Sequence, residues 1–259
     1  MDLGIRGRKA IVCAASKGLG RGCAEALAAE GVDLVITART ESELRQTADE
    51  IAAAHGVSVT PVAGDVKTEA GRAAILHAMP EPDILVNNAG GPPPGDFADF
   101  SLDDWREAVE GNMITPLALI RATVYGMSDR GFGRIVNITS YSVKAPVPTL
   151  ELSNGARAGL TGAVAALARK VADRNVAINA LLPGPYATDR LVNTSIAIAE
   201  KTGKSFEEVH AARADELPTK RFGTTEEFGA ACAFLCSAHA GNIIGQNIVM
   251  DGGSHVSTL

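Results

Sequence analysis

The chain alternates between short apolar segments and Ala- and Leu-rich amphipathic segments over nearly its whole length. The apolar segments, such as residues 9–14, 32–38 and 83–87, are continuous runs rather than alternations of apolar and polar residues. Continuous apolar strands separated by helices are typical of a parallel sheet with both faces buried. The sequence therefore predicts an α/β fold, a single domain over residues 1–259 with a doubly wound parallel sheet of about seven strands and helices on both faces.

The pattern also gives approximate bounds for each element. Strands are predicted at 9–14, 32–38, 57–62, 83–87, 133–139, 176–182 and 247–250. Helices are predicted at 21–30, 41–54, 69–79, 102–125, 154–172 and 225–237. Pro116 should kink or interrupt the helix at 102–125. Residues 190–218 are more polar, with short helical stretches at 196–200 and 206–214, and we expect them to form a lid over a substrate.

A glycine-rich turn, residues 13–20 (Cys-Ala-Ala-Ser-Lys-Gly-Leu-Gly), joins the first predicted strand to the first helix. Gly18 and Gly20 carry no Cβ, so the backbone there can approach a ligand closely. The free N–H groups and the dipole of the helix that follows favour an anion such as a pyrophosphate. Because turns of this kind also occur for purely structural reasons, the turn alone does not decide between the two interpretations.

Polar or glycine-rich residues also follow four other predicted strands, at 38–39, 87–90, 139–142 and 183–188. The carboxyl ends of parallel strands meet at one edge of the sheet, where doubly wound folds bind their ligands. Five such segments at one edge favour a binding site, and the order of the elements predicts a Rossmann-type dinucleotide site.

Charges near the second strand indicate which dinucleotide would bind. An acidic residue at the end of that strand would bind a free ribose 2′-hydroxyl, whereas a basic one accommodates a 2′-phosphate. Arg39 lies at that position and Lys17 lies in the glycine-rich turn, so the sequence favours NADP(H) over NAD(H). The alternative is that both are solvated surface charges. Asp65 could accept a hydrogen bond from the adenine amino group or cap the following turn.

Composition excludes several classes of partner. The net charge is −6 with both signs interspersed, so we expect no nucleic-acid partner. No apolar segment is long enough to span a bilayer, and no signal peptide is evident, so we expect no membrane partner and a cytoplasmic location. The four cysteines lack the spacing of a disulfide framework or zinc ribbon; we expect core residues and no metal site, although the pair Cys232 and Cys236 leaves a metal interpretation open.

Several motifs together resemble the short-chain dehydrogenase/reductase family over essentially the whole chain. The matching residues are Gly18-Leu-Gly20, Asn87-Asn-Ala-Gly90, Asn112, Ile135-Val-Asn-Ile-Thr-Ser140, Pro183-Gly184, Thr188 and Asp251-Gly-Gly253. The resemblance is greatest to the 3-oxoacyl-[acyl-carrier-protein] reductases, and it implies hydride transfer between a nicotinamide and a carbonyl or alcohol carbon. It also implies a homotetramer built through two long helices, here about 103–125 and 154–172.

The resemblance assigns cofactor contacts residue by residue. These are Ala14, Ser16, Lys17, Gly18, Leu19, Gly20, Arg39, Asp65, Val66, Asn88, Ala89, Gly90, Arg157, Pro183, Gly184 and Thr188. One departure occurs at the start of the turn, where the family has Thr-Gly and this chain has Cys13 and Ala14. Alanine predicts that position 14 does not adopt a positive φ, because its Cβ makes that conformation costly.

A larger departure concerns the catalytic centre that the resemblance implies. The family uses a tyrosine followed four residues later by a lysine, whose charge lowers the pKa of the phenol. The tyrosines Tyr125, Tyr141 and Tyr186 are the only three in the chain, and none is followed by lysine at that spacing. Counting from Ser140, and matching Ala158-Gly-Leu160 to the family's helix, places Ser153 at the tyrosine position and Arg157 at the lysine position.

The candidate catalytic residues are therefore Ser140, Asn112, Ser153, Arg157 and Tyr186. Tyr141, Lys144, an acid on the substrate or an ordered water are alternative proton donors. The sequence predicts an oxidoreductase with a non-standard proton donor, acting on a small molecule bound under residues 91–96 and 190–218. The alternatives are a cofactor-binding sensor or scaffold without catalysis, and a non-redox lyase or isomerase on the same fold.

Overall fold

The computed structural model describes residues 1–256 and contains one seven-stranded sheet in a single domain. The strands are β1 (Lys9–Cys13), β2 (Asp33–Ala38), β3 (Val59–Ala63), β4 (Ile84–Asn87), β5 (Gly133–Ile138), β6 (Val176–Pro183) and β7 (Asn247–Met250). Their order is β3-β2-β1-β4-β5-β6-β7, and every neighbouring pair is parallel. The predicted doubly wound α/β fold is confirmed.

Nine α-helices lie within the described residues. They are α1 (Gly18–Ala29), α2 (Glu41–His55), α3 (Glu69–Ala78), α4 (Leu102–Val109), α5 (Thr115–Asp129), α6 (Glu151–Lys170), α7 (Asp189–Thr202), α8 (Phe206–Asp215) and α9 (Thr225–Cys236). No helix within residues 1–256 has the length and apolar character that a membrane span requires.

Both faces of the sheet are covered, because successive side chains of a strand point to opposite faces. Along β1, Ala10 and Val12 pack with α1, α2 and α9, whereas Ile11 and Cys13 pack with α3, α5 and α6. All four cysteines are buried and free, which confirms their prediction as core residues.

The helix predicted at 102–125 is interrupted, as the proline suggested, but the interruption precedes the proline. Helix α4 ends at Val109, residues Glu110–Ile114 form one π-helical turn, and α5 begins at Thr115. Pro116 lies in the first turn of α5, directly after the π-helical turn, where the hydrogen-bond pattern of the helix already changes.

Two other helices differ in length from their predicted bounds. Helix α6 begins at Glu151, three residues earlier than expected, so Ser153 and Arg157 lie one turn apart within it. In the predicted lid, α7 extends over Asp189–Thr202 rather than over a short stretch. The start of α7 is hard to recognise in the sequence, because only Leu191, Ser195 and Ala199 of this helix are buried and they form a weak apolar face.

The strand order reverses at β1. From β1 the chain proceeds outward through β2 and β3, and then returns to β4 on the other side of β1. The loops after β1 and β4 therefore diverge and leave a crevice at the carboxyl edge of the sheet, where ligands bind in this architecture.

Candidate functional site

The turn between β1 and α1 brings the backbone into close contact with the loop after β4. Ala14 adopts a φ of +49°, so the prediction that it would avoid a positive φ is wrong. A Cβ on Gly20 would collide with the Ala14 carbonyl and would lie 2.9 Å from Asn88 Nδ2. Because this close approach requires a sharp reversal at position 14, alanine accepts the strained conformation there.

The first turn of α1 is open to an anion. Lys17 is its N-cap residue and provides no side-chain hydrogen bond to the helix, and no acidic residue lies in the first turn. Gly18 opens the helix with a φ of +59°. The N–H groups of a first helical turn lack helical acceptors and carry partial positive charge, so they suit a phosphate.

A groove of about 530 Å³ extends from this turn along the carboxyl edge of the sheet. Its walls include the predicted cofactor residues Ala14, Ser16, Lys17, Arg39, Asp65, Val66, Asn88, Ala89 and Gly90, together with Asn112. Four separate loops and one helix supply these residues, so the structure brings together positions up to 98 apart in sequence. The groove is large enough for a small-molecule ligand.

Two basic side chains lie on one wall of the groove. Arg39 is exposed and makes no ion pair within the described residues. Lys17 Nζ lies 3.1 Å from Asp189 Oδ2, and the hydrogen bond to this carboxylate raises the pKa of Lys17. Asp65 Oδ1 accepts a hydrogen bond from the Lys67 N–H at 2.9 Å, so its turn-capping role is confirmed, and its contact with adenine stays a prediction.

The loop after β6 closes against the turn from the other side. Thr188 lies against Gly18, where an added Cβ would be 3.6 Å from the threonine methyl group. Gly184 packs on Asp251, since a Cβ at position 184 would be 2.6 Å from the Asp251 Cβ. Pro183 ends β6, so these predicted contacts reach the same edge of the sheet, although none of them lines the groove.

Asn112 lies in the π-helical turn at the inner end of the groove. Its side chain is buried, Nδ2 donates to the Ala108 carbonyl at 3.4 Å, and Oδ1 has no hydrogen-bond partner among the described residues. Single π-helical turns frequently occur at functional sites, because they re-aim a side chain that an α-helix would direct elsewhere.

A second, small cavity of about 20 Å³ adjoins this end of the groove. It has the size of one water molecule. Its polar lining consists of Asn87, Asn88, Asn112, Thr115 and Arg157, and one side-chain oxygen each of Asn87, Asn112 and Thr115 has no partner among the described residues. Asn87 Nδ2 donates to Asn137 Oδ1 at 2.9 Å, which ties the ends of β4 and β5 together.

Ser153 and Arg157 form a buried pair on α6. Arg157 Nε donates to Ser153 Oγ at 3.2 Å, and Arg157 Nη1 donates to the Ile138 carbonyl at 2.9 Å. Burial, and secondarily the charge of Arg190, lowers the pKa of Arg157 to about 10, which leaves the guanidinium charged at neutral pH. No carboxylate pairs with Arg157 within residues 1–256.

Ser140 follows β5 and begins a short 3-10 turn. Its Oγ accepts a hydrogen bond from the Ser142 N–H at 3.1 Å, which leaves the hydroxyl proton free for donation. Neighbouring Tyr141 is half-buried, and burial raises its pKa, whereas Lys144 is exposed.

Tyr186 lies apart from the groove and from the small cavity. Its ring packs edge-on against Phe228 of α9, with 5.2 Å between the ring centroids, and the residue is 7% exposed. Burial raises the pKa of Tyr186 to about 12, so its phenol is a weaker acid than an exposed tyrosine. Its catalytic role stays a prediction that this placement does not favour.

Comparison with known proteins identifies the relatives of the chain. The family described as enoyl-(acyl carrier protein) reductase matches residues 13–255. The chain therefore belongs to the short-chain dehydrogenase/reductase family. The matched residues include every element that borders the groove.

Several relatives of this short-chain dehydrogenase/reductase are described as reductases. The NADPH-dependent reductase BacG of Bacillus subtilis is 31% identical over 252 residues, which cover 95% of this chain and 97% of BacG. The 3-oxoacyl-[acyl-carrier-protein] reductase FabG of Aquifex aeolicus is 32% identical and covers 98% of this chain and 99% of FabG. L-sorbose reductase of Gluconobacter frateurii, solved with NADPH and L-sorbose, superposes with a TM-score of 0.94 at 31% identity, covering 99% of this chain and 100% of that one.

The sequence indicated no specific role for three polar residues near the groove. Asp189 pairs with Lys17, Asn87 borders the small cavity, and Arg190 reaches the loop after β4. Asn87 belongs to the predicted segment at 87–90, so its position at the sheet edge was expected, whereas its place in the lining of the cavity was not. Asp189 and Arg190 belong to the first turn of a helix whose start was not predicted.

Proposed function

We propose that this protein is an NADP(H)-dependent oxidoreductase that acts on a carbonyl or alcohol group of a small molecule. The observation that carries the proposal is the continuous groove from the open N-terminus of α1 to the polar inner end at Asn112. Relatives described as NADPH-dependent, and a neighbour solved with NADPH and a sugar, support the same interpretation.

Residues that would hold the cofactor fit its chemistry. The first turn of α1, opened by Gly18, suits a pyrophosphate, and Arg39 with Lys17 suits a 2′-phosphate. Asn88, Ala89 and the other predicted contacts complete the walls. When bound, the cofactor supplies or accepts a hydride; the protein supplies position, charge and a proton.

The proton donor is proposed to differ from the tyrosine and lysine pair of the family. Ser153 and Arg157 are proposed to occupy those two positions, and their mutual hydrogen bond supports this assignment. A serine hydroxyl is much less acidic than a phenol, whose reference pKa is about 10. Arg157 keeps a positive charge, but its planar fork is not a mobile ammonium group.

Ser140 and Asn112 are proposed to bind the substrate oxygen. The Ser142 N–H donates to Ser140 Oγ, and this bond makes the hydroxyl a better donor to a carbonyl oxygen. Tyr141, Lys144, a water or an acidic group on the substrate are alternative sources of the proton. Residues 190–218 are proposed to cover the substrate.

Following the absorbance of NADPH tests the main proposal. A panel of ketones, oxo acids, oxo esters and quinones should include at least one substrate that is reduced above the buffer rate. Arg39→Ala should weaken NADPH about 10-fold or more relative to NADH, because it removes a charge-assisted contact to the 2′-phosphate. Absence of turnover over the whole panel, or an unchanged cofactor preference, would contradict the proposal.

A double variant tests the assigned catalytic positions. Ser153→Tyr with Arg157→Lys should raise ketone reduction by about 100-fold, the size of a general-acid contribution. Ser153→Phe with Arg157→Lys is the matched control, because it fills the same space without a hydroxyl. If both variants fold and bind NADPH but neither reduces ketones faster, the assignment is wrong.

A second candidate is a cofactor-binding sensor or scaffold that has lost catalysis. This candidate is favoured by the serine at position 153, where the family has the phenol of a tyrosine. The Ser153 oxygen accepts a hydrogen bond from Arg157. This candidate predicts that NADPH raises the melting temperature while no substrate consumes it. A non-redox lyase or isomerase would instead convert substrate with no net change in NADPH.

The assembly is proposed to be a homotetramer built through α5 and α6. Size-exclusion chromatography with light scattering should then give a mass of four chains. A monomer mass over the micromolar range would contradict this part of the proposal.

A further inference from the structure

Arg157 lines the small cavity beside the groove, and Arg190 contacts Gly91 and Pro92, which line the groove itself. Some surface arginines, such as Arg21 and Arg45, lie within 3 Å of glutamate oxygens, and others, such as Arg39, have no carboxylate partner among the described residues. Neither Arg157 nor Arg190 makes an ion pair within the part of the chain that the structure describes. Arg157 donates to the Ile138 carbonyl at the end of β5, and Arg190 approaches Pro92 in the loop that follows the neighbouring strand β4.

Arg157 has the greater need of a counter-charge, because its side chain is buried and the residue is only 8% exposed. A guanidinium has five N–H donors, and two of those of Arg157 are used, for Ser153 Oγ and the Ile138 carbonyl. A buried charge without a counter-charge costs several kcal/mol in general. The chain retains this cost beside a cavity that shares Asn88, Ala89 and Asn112 with the lining of the groove.

Arg190 reaches the same region from the opposite side. It lies in the first turn of α7, and its Nη2 approaches the Pro92 carbonyl at 3.5 Å. A Cβ on Gly91 would lie 2.6 Å from Arg190 Nη1, so the glycine leaves room for the guanidinium.

Local structure gives no reason for an arginine at position 190. A cation in the first turn of a helix is opposed by the helix dipole. The adjacent acid, Asp189, is engaged with Lys17 on the other side of the crevice. The positive charge of Arg190 also acts unfavourably on Arg157, since it contributes to the lowered pKa of that residue.

An anionic ligand would neutralise the buried charge of Arg157 and relieve its repulsion with the exposed Arg190. Arginine forks bind carboxylates through two parallel hydrogen bonds, and a buried arginine with an exposed one can hold a carboxylate at the mouth of a site. The anionic parts of a dinucleotide are its phosphates, which are proposed to lie at α1 and Arg39. They therefore leave these two arginines without a counter-charge.

We infer that the substrate carries a carboxylate, and that Arg157 and Arg190 bind it at the inner end of the groove. This inference rests on the proposed function and names its substrate class: an oxo acid in the reductive direction and a hydroxy acid in the oxidative one. Arg190 is then a specificity-determining residue. It selects acids over neutral carbonyl compounds of the same shape.

Binding of matched acids and amides tests the inference without turnover. Isothermal titration of the protein saturated with NADP⁺ would use pyruvate, hexanoate and benzoate beside pyruvamide, hexanamide and benzamide. At least one acid should bind about 10-fold or more tightly than its amide, as expected for a charge-assisted fork. Arg190→Gln should reduce that acid to the affinity of its amide and leave NADP⁺ affinity within about 2-fold.

Two further variants keep the test decisive. Arg169→Gln removes an exposed arginine of α6 that lies outside the groove, and it should leave acid binding unchanged. Arg157→Lys keeps the charge and should retain more acid affinity than Arg157→Met. If a variant of Arg157 fails to fold, the Arg190→Gln result alone decides.

The inference is overturned if no acid binds more tightly than its amide, or if Arg190→Gln weakens NADP⁺ as much as the acid. Failure of the proposed function has a different signature. In that case acids would bind in an Arg190-dependent manner, while no carbonyl compound, acid or neutral, would consume NADPH.

Discussion

Two buried arginines lie near opposite ends of β5 and are treated differently by the fold. Arg134, near the start of the strand, donates to the carbonyls of Ser237, Gly133 and Asn175, each at 2.9 Å. It also stacks on the Phe132 ring at 4.4 Å. Arg157, beside the end of the strand, has only one carbonyl and one hydroxyl as partners.

The difference separates a structural edge of the sheet from a binding edge. At the amino edge the chain satisfies the buried charge with its own carbonyl groups. At the carboxyl edge, three N–H donors of Arg157 and the side-chain oxygens of Asn87 and Asn112 have no hydrogen-bond partner among the described residues. The same fold gives Arg134 more hydrogen-bond acceptors than it gives Arg157. We therefore attribute the incomplete set of acceptors around Arg157 to its position in the binding site.

Arg134→Met should produce the largest loss of stability. The buried carbonyls of Ser237 and Gly133 and the partly buried carbonyl of Asn175 would each lose a donor, so we expect the free energy of unfolding to fall by about 3 kcal/mol. Urea unfolding at pH 7 measures it. Arg174→Met, which changes an exposed neighbour, is the control and should cost less than about 0.5 kcal/mol. An equal effect of the two variants would remove the contrast between the edges.

Asn175→Gly should produce the next largest loss. Asn175 has a φ of +55°, which glycine adopts freely, so the change isolates the side chain. That side chain donates to the Gly131 carbonyl at 3.0 Å and accepts from Arg134 Nη2 at 3.2 Å. We expect a loss of about 1–2 kcal/mol in urea unfolding. A gain in stability would mean that backbone strain outweighs both bonds.

Arg157→Met should change stability by less than about 1 kcal/mol, because losing two hydrogen bonds is offset by removing an unpaired buried charge. The same urea experiment, run beside Arg134→Met, measures the difference between the two ends of the strand. A loss as large as that of Arg134→Met would show that Arg157 is a structural residue.

Ala14→Gly should produce the smallest effect, a gain. Unlike Asn175, Ala14 has a positive φ with no side-chain hydrogen bond to compensate it. Relief of this strain, less the added entropy of glycine in the unfolded chain, should raise the free energy of unfolding by about 0.5 kcal/mol. Ala15→Gly, at the buried neighbour, should lower it instead. A loss in both variants would contradict the strain.

Much of the fold was predictable because strands buried on both faces are continuous apolar runs. The β7 bounds at 247–250 were predicted without error, and the sheet edge that carries the groove followed from the strand exits. Ala14 was predicted wrongly, because residue preference gave no information on the close approach of Gly20 to its carbonyl.

The inner end of the groove was less predictable for a physical reason. Ser153 and Arg157 were singled out by counting along a resembling pattern, but their hydrogen bond depends on where α6 begins. The interest of Arg190 comes from its approach to the Pro92 carbonyl on the other side of the crevice, and the two residues are 98 positions apart in sequence. Such contacts depend on tertiary packing and leave no local pattern.

The π-helical turn at Glu110–Ile114 adds one residue to the connection between α4 and α5. Such a turn is equivalent to a single-residue insertion in an α-helix. Deleting one residue here would let the two helices continue as one and would rotate α4 by about 100° relative to α5. Asn112 would then leave the groove while the sheet kept its order. In this segment the length of the chain, more than the identity of any side chain, sets the direction in which the amide points.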